Sequence, residues 1–250
     1  MTRNDLLKYK NLLGFNLGQI EKDYLQHIFL HRIYRLVSNE LVFKGGTCLQ
    51  KTFGLNRFSE DLDFTLNGKC RLKNVMGDAA GDITLFGYES EVAKEKKDEI
   101  SNSFLLRIRG PLYDGSDKSI VTLRAEISIR EKVIQGVENR SIVPVYNDLP
   151  PYTLLTMKFE EILAEKVRAV ITRTRAKDVY DLWFLLKKNI PADIRLINEK
   201  LKYYNLSFDK KTFTKSIEGM GKIWEKELRA ILPIIPDFNN AKKEILNTFQ

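Results

Sequence analysis

Two aspartates one residue apart, Asp61 and Asp63, follow a glycine pair, Gly45 and Gly46, in the stretch KGGTCLQKTFGLNRFSEDLDFTL. From Asp61 to Leu66 polar and apolar residues alternate. Asp61, Asp63 and Thr65 therefore share one face of a predicted strand, and Leu62, Phe64 and Leu66 share the other. The apolar run Leu41-Val42-Phe43, followed by Lys44, Gly45, Gly46 and Thr47, predicts a strand that turns sharply into a helix. Glycine lets a ligand approach the backbone closely, and the free N–H groups at a helix start favour phosphate. Two carboxylates on a strand face beside such a turn suit a magnesium–nucleotide site, because Mg²⁺ takes hard oxygen ligands and leaves positions for phosphate and water. The plain alternative is a pair of solvent-facing aspartates that discourage edge pairing.

Further along, Lys166 falls inside the apolar arc of a predicted helix, among Phe159, Ile162, Leu163, Val167 and Val170. A lysine there either reaches a partner or snorkels to water. The run Arg175-Ala176-Lys177-Asp178-Val179-Tyr180-Asp181-Leu182 opens the next helix. On a helical wheel Asp178 sits at the edge of the buried face, where a carboxylate wants a cation or an N–H partner; Lys166 and Arg175 are the candidates. Asp181 is expected further out, near Lys177. Ordinary helix-end acids in local ion pairs are the alternative. Glu126 lies on the polar face of a strand over 120–130, with Thr122, Arg124, Ser128 and Arg130. A cross-strand Glu–Arg pair is the alternative.

The joint pattern of GGT followed by RFSEDLDF resembles the first motif of the AbiEii/AbiGii-type toxin nucleotidyltransferases. These include the MenT-like toxins and are a branch of the polymerase-beta-like nucleotidyltransferase superfamily. EEILAEKVRAVITR resembles the family's lysine-bearing helix, and RAKDVYDL fits its R-x-K-D-x-x-D-L motif. The resemblance runs from about Leu41 to Leu186. It implies that Asp61, Asp63 and Glu126 hold Mg²⁺, with Glu126 standing where the superfamily more often has Asp. It also implies that Lys44, Gly45, Gly46, Thr47, Arg57, Ser59 and Lys166 bind the nucleotide, and that Asp178 holds Lys166 or positions the acceptor. Turn, cap and solvated-cation roles remain open for Lys44, Thr47, Arg57 and Ser59.

These residues must be positioned by two kinds of structure. Helices are expected over 3–14 and 18–37, strands at Leu41–Phe43, Asp61–Leu66 and through most of 88–131, and a loose helix over 71–86. Tyr113-Asp114-Gly115-Ser116 reads as a hairpin turn. A strand over Ser141–Tyr146 would sit at a sheet edge because of Pro144. The Leu149-Pro150-Pro151 segment is the expected boundary, and helices over 159–173, 177–188, 192–203, 210–230 and 237–248 follow. The predicted fold is α+β. A nucleotidyltransferase lobe with a mixed sheet flanked by helices spans residues 1–150, and a helical lobe spans 151–250, with the active site in the cleft between.

The chain has 250 residues, is 43% hydrophobic and 30% charged, and carries a net charge of +8, which argues for an ordered domain and a polyanionic partner. The two cysteines, Cys48 and Cys70, with no C-x-x-C spacing, argue against a disulfide scaffold and a zinc site. His27 and His31, four apart, read as packing or surface residues in the absence of H-E-x-x-H. No signal peptide or membrane-spanning run is apparent, so a cytoplasmic protein without a membrane partner is expected. The resemblance implies transfer of NMP from an NTP to the 3′ end of tRNA, with pyrophosphate released, as the toxin of a toxin–antitoxin system with a cognate antitoxin. A protein or small-molecule acceptor, or a non-catalytic nucleotide- or RNA-binding module, are the alternatives.

Overall fold

The apolar triplet Leu41–Phe43 and the alternating run after Asp61 become neighbours in a seven-stranded mixed sheet. The computed structural model describes residues 1–249. The strands are β1 (Leu41–Lys44), β2 (Leu62–Leu66), β3 (Ser90–Lys97), β4 (Ser101–Ile108), β5 (Val121–Ser128), β6 (Val137–Ile142) and β7 (Tyr152–Met157). Their order is β3-β4-β5-β2-β1-β7-β6. β1 runs antiparallel to β2 and parallel to β7, β2 runs parallel to β5, and β3, β4 and β5 form an antiparallel meander. The hairpin expected at Tyr113–Ser116 joins β4 to β5. β6 lies at a sheet edge and ends two residues before Pro144, which could not donate to a ladder. β7 is a strand the sequence reading did not anticipate; it begins directly after Pro150-Pro151.

Contacts divide the chain into two compact units. The first comprises Met1–Gly54, Phe58–Lys132 and Val137–Thr156. The second comprises Leu55–Arg57, Val133–Gly136 and the chain from Met157 onward.

In the first unit, the helices are α1 (Arg3–Lys8), α2 (Lys10–Leu13), α3 (Leu17–Leu36), α4 (Gly45–Phe53) and α5 (Leu72–Gly81), the last continued by a 3₁₀ turn over Asp82–Phe86. The helix expected over 3–14 is thus broken at Tyr9, and the loose one over 71–86 is part α and part 3₁₀. Asn16 and Gln19 start α3 with a reciprocal capping box. An apolar stripe of α3, Ile20, Tyr24, Ile28, Leu30 and Ile33, is fully or almost fully buried. The polar side is buried as well. Asp23 accepts from Lys51 at 2.5 Å, Gln50 at 2.8 Å and the Tyr146 hydroxyl at 2.8 Å. His27 Nδ1 meets the Tyr152 hydroxyl at 2.8 Å, so this histidine is a packing residue. α3 is therefore a central helix, and Asp23 and His27 on its polar side both find partners.

The second unit is helical: α6 (Phe159–Thr172), α7 (Ala176–Lys187), α8 (Ile194–Lys202), α9 (Lys210–Gly219), α10 (Trp224–Leu228) and α11 (Phe238–Thr248). The helix expected over 210–230 is interrupted by a 3₁₀ turn at Met220–Lys222. Asp193, Asp209 and Asp237 cap α8, α9 and α11, and Glu227 accepts the first N–H of α7, from Ala176. Lys200 is completely buried and lies 2.6 Å from Glu161 and 3.1 Å from Glu165. Glu161 also accepts the backbone N–H groups of Ile134 and Gln135, which fastens 133–136 into this unit. Among the described residues no helix is long and apolar enough to cross a membrane.

Burial, reinforced by the Lys51 charge and only partly offset by Asp23, depresses the pKa of His27 to about 3. A histidine depressed in this way contributes stability that is complete above its unfolded pKa of about 6.5 and is lost as the pH falls towards its folded value. Urea denaturation should therefore show stability falling between pH 6.5 and 4. The slope from this residue is at most about 1.4 kcal/mol per pH unit. His27→Gln should flatten the slope. Part will remain, because burial also lowers the pKa of His31. An unchanged slope in the variant would show that His27 is not held neutral.

Candidate active site

The first unit builds one constellation at the ends of β1, β2 and β5. Lys44 is the register partner of Asp63, and Asp63 is the partner of Glu126 on the adjacent parallel strand. Side chains of such partners project from the same sheet face, so the two carboxylates stand side by side. Glu126 accepts from the Ser103 hydroxyl at 2.8 Å and lies 3.6 Å from Arg124. Arg124 is the same-face neighbour that alternation assigned.

The turn from β1 into α4 is dictated by Gly45, which has φ +76°. A Cβ there would stand 3.0 Å from both Cβ and Cγ of Asp63 and closer still to its carboxylate. Glycine is required twice, for its backbone conformation and for the space that keeps Asp63 against the turn. Gly46 and Thr47 are buried in the first turn of α4, and the Thr47 hydroxyl donates to the backbone carbonyl of Asp61 at 2.5 Å. The loop before β2 is fixed from both sides. Gln50 accepts from the Ser59 N–H at 2.9 Å, and Gln26 donates to the carbonyls of Ser59 and Glu60 at 2.9 and 3.0 Å. Ser59 is thereby buried, and Asp61 is half-buried just ahead of β2. Lys44 is also buried, 3.8 Å from the buried Glu131.

The second unit builds a linear chain of ions. Arg57 grips Asp181 through two bonds of 2.6 and 2.7 Å. Lys166 lies 2.6 Å from Asp181 and 2.9 Å from Asp178. Arg173 donates to Asp178 at 2.7 and 3.0 Å. Both aspartates are completely buried, and of the three cations only Arg173 reaches solvent, with its side chain 52% exposed. Burial opposes the charge on Asp178, but Lys166 and then Arg173 outweigh it and hold its carboxyl well below the usual range. Burial likewise opposes the charge on Asp181, and Arg57 and Lys166 together overcome it. Burial works against the Lys166 ammonium too, yet Asp181 and Asp178 hold its pKa above the ordinary lysine value. With three cations for two anions, the chain keeps one net positive charge.

Two expectations are corrected here. Asp181 does not lie further out beside Lys177; it is at the centre of the ionic chain, because a spacing of three on one helix puts it next to Asp178 and facing Lys166. The arginine on Asp178 is Arg173 and not Arg175, which is exposed. Of the two outcomes open to a lysine in an apolar arc, Lys166 takes the partnered one, and Asp178 is one of two carboxylates that hold it. The sequence reading missed Arg173, Gln26, Gln50, Ser103 and Glu131. Of these, only Arg173, five residues before Asp178, left a local signal.

A mixed sheet flanked by helices, with a glycine turn set against paired carboxylates, defines the chain as an α+β nucleotidyltransferase. Residues 29–247 match the family described as nucleotidyl transferase AbiEii toxin, type IV toxin–antitoxin system, and the chain belongs to that family. It is a toxin nucleotidyltransferase of that type. Among solved structures, it is similar to MenT4, nucleotidyltransferase toxin Rv2826c from Mycobacterium tuberculosis H37Rv. The TM-score is 0.72 and the identity 20%, over 100% of this chain and 88% of that one. JHP933 from Helicobacter pylori shares the fold with a TM-score of 0.63 and 22% identity, over 94% of this chain and 91% of that one. No curated protein matches the sequence.

Two substitutions test this geometry. Asp181→Asn leaves Arg57 and Lys166 facing a neutral amide in the interior and should cost about 3–5 kcal/mol. Arg173→Ala removes a half-exposed partner and should cost no more than about 1 kcal/mol. Equal losses in denaturant unfolding would mean that the buried part of the chain is not where the stability resides. Gly45→Ala should abolish activity while Gly54→Ala, also at positive φ but with open space around it, should not.

Proposed function

We propose that this nucleotidyltransferase transfers NMP from an NTP to the 3′ end of tRNA in the cytoplasm, with a cognate antitoxin opposing it. The single observation that carries the reading is the pairing of Asp63 with Glu126 beside the Gly45 turn. Among the described residues no three Asp, Glu, His or Cys side chains converge as a ready-made metal cage. Magnesium in nucleotide enzymes is commonly held by one or two carboxylates, with phosphate and water completing its shell, so the residues present fit a cation that arrives with its nucleotide. Asp63 and Glu126 would hold it, with Asp61 the third acid that the family resemblance implies, and when bound it supplies charge neutralisation at the phosphates and a lowered pKa for the attacking hydroxyl.

The chain's own residues do the rest. The N–H groups at the start of α4, with Gly45, Gly46 and Thr47, take phosphate oxygens. Lys44 and Ser59 flank them. Arg57, which precedes Asp61 by four residues in the sequence, and Lys166 are the further nucleotide-binding cations that the family resemblance implies. Asp178 keeps Lys166 in place. The acceptor 3′-oxygen forms a bond to the α-phosphorus, the bond from that phosphorus to the β-bridging oxygen breaks, and pyrophosphate leaves. The net charge of +8 supports a polyanionic acceptor.

The test is a transfer assay with each α-labelled NTP in turn, Mg²⁺ and total tRNA. Label should appear at the tRNA 3′ end, and Asp63→Asn should lower the rate by at least about 100-fold. Label on protein instead of RNA would reject the acceptor, and full activity of Asp63→Asn would reject the site.

A further inference from the structure

β3 is the edge strand of the sheet, and its register on β4 slips at one point. Val92 pairs with Leu106, but Lys94 pairs with Leu105, leaving Ala93 as an inserted residue. A bulge of this kind shifts every later residue to the opposite face. In unbroken register Lys94 would oppose Phe104 and Lys96 would oppose Asn102, both buried on the other face. With the bulge, Lys94 opposes Leu105, which opposes Arg124 on β5. Lys96 opposes Ser103, which opposes Glu126, which opposes Asp63, which opposes Lys44. One row of register partners therefore runs from Lys96 at the edge to the paired carboxylates. The same slip sends Glu95 to the face of Phe104, away from Glu126. Edge lysines that merely discourage sheet pairing would serve on either face.

We infer that Lys94, Lys96 and Arg124 form a track for the phosphodiester backbone of the acceptor strand on the sheet face that carries Asp63 and Glu126. Lys94, Lys96 and Arg124 are exposed; Asp98, which follows β3 and feels the charge of Lys96, accepts from the backbone N–H groups of Ile100 and Ser101. At ~4.8 Å per strand, Lys96 lies about 14 Å from Asp63, a span of some two nucleotides of an extended strand. A polynucleotide whose 3′ end reaches the carboxylates would lay its preceding phosphates over these cations. The inference rests on the proposed transfer to RNA, deepening it by naming the surface that receives the acceptor.

The control is built into β3. Lys97 carries the same charge on the same strand but opposes Asn102 on the other face. Wild type, the double variant Lys94→Glu/Lys96→Glu and the single variant Lys97→Glu would be titrated against 5′-fluorescein tRNA by anisotropy over a range of salt, and assayed for label transfer in parallel. Unfolding midpoints would show that all three fold. The double variant should bind at least about tenfold more weakly, and the slope of log affinity against log salt should be shallower by about 1.4, the loss of two single-strand phosphate contacts. In transfer, it should raise KM for tRNA and leave KM for NTP unchanged. Lys97→Glu should stay within about twofold of wild type on every measure. Equal affinity for wild type and double variant, an equal loss in Lys97→Glu, or no RNA binding by wild type would each overturn the track. Wild type that binds RNA through these lysines but transfers no label to it would leave the track standing and overturn the transfer reading alone.

Discussion

A carboxylate removed from water keeps its charge only where cations reach it, and the interior of this protein is arranged around that requirement. Asp23 is answered by Lys51, Asp181 by Arg57 and Lys166, Asp178 by Lys166 and Arg173, and Glu161 with Glu165 by Lys200. Removing these charges from water costs several kcal/mol per ion, and their mutual attraction repays it only in good geometry. Their value is therefore in specifying one arrangement more than in adding stability. Each group fixes elements far apart in sequence. Arg57 and Asp181 are 124 residues apart, and their bidentate bond fastens residues 55–57 into the helical unit.

The carboxylate pair is set by a different constraint, the absence of a side chain. Gly45 lets β1 turn into α4 directly against Asp63, so the start of a helix and an acidic strand face meet without intervening atoms. Thr47, Gln50 and Gln26 then hold the preceding loop by its backbone. Polar groups that support a site through its main chain fix its geometry and leave its chemistry free. The bulge at Ala93 acts on the same sheet face from its edge, turning lysines towards the carboxylates and a glutamate away.

The structural relatives share this architecture at 20–22% identity. The strand order and the burial pattern depend on hydrophobic alternation and on a few glycines, which many sequences satisfy. Identity that low speaks for the fold; the family match is what carries the activity.

The local patterns were legible in the sequence because their causes are local. The alternation of Asp61–Leu66 and of 120–130 gave two strands and the polar faces they share. The glycine pair gave the β1–α4 turn, and Lys166 in an apolar arc narrowed its role to a partnered or a snorkelling lysine. β7 was not legible: Tyr152–Met157 is a short apolar run behind two prolines, and only its pairing with β1 makes it a strand. The bulge at Ala93 was equally silent, since a register shift is defined by the partner strand. Asp181 looked solvated because a helical wheel knows nothing of Arg57. The sequence by itself determined the periodicities, the turn and the residue types available for phosphate and metal chemistry. Tertiary structure alone decided which charges are buried together and which sheet face the lysines occupy, because both depend on neighbours that are distant along the chain.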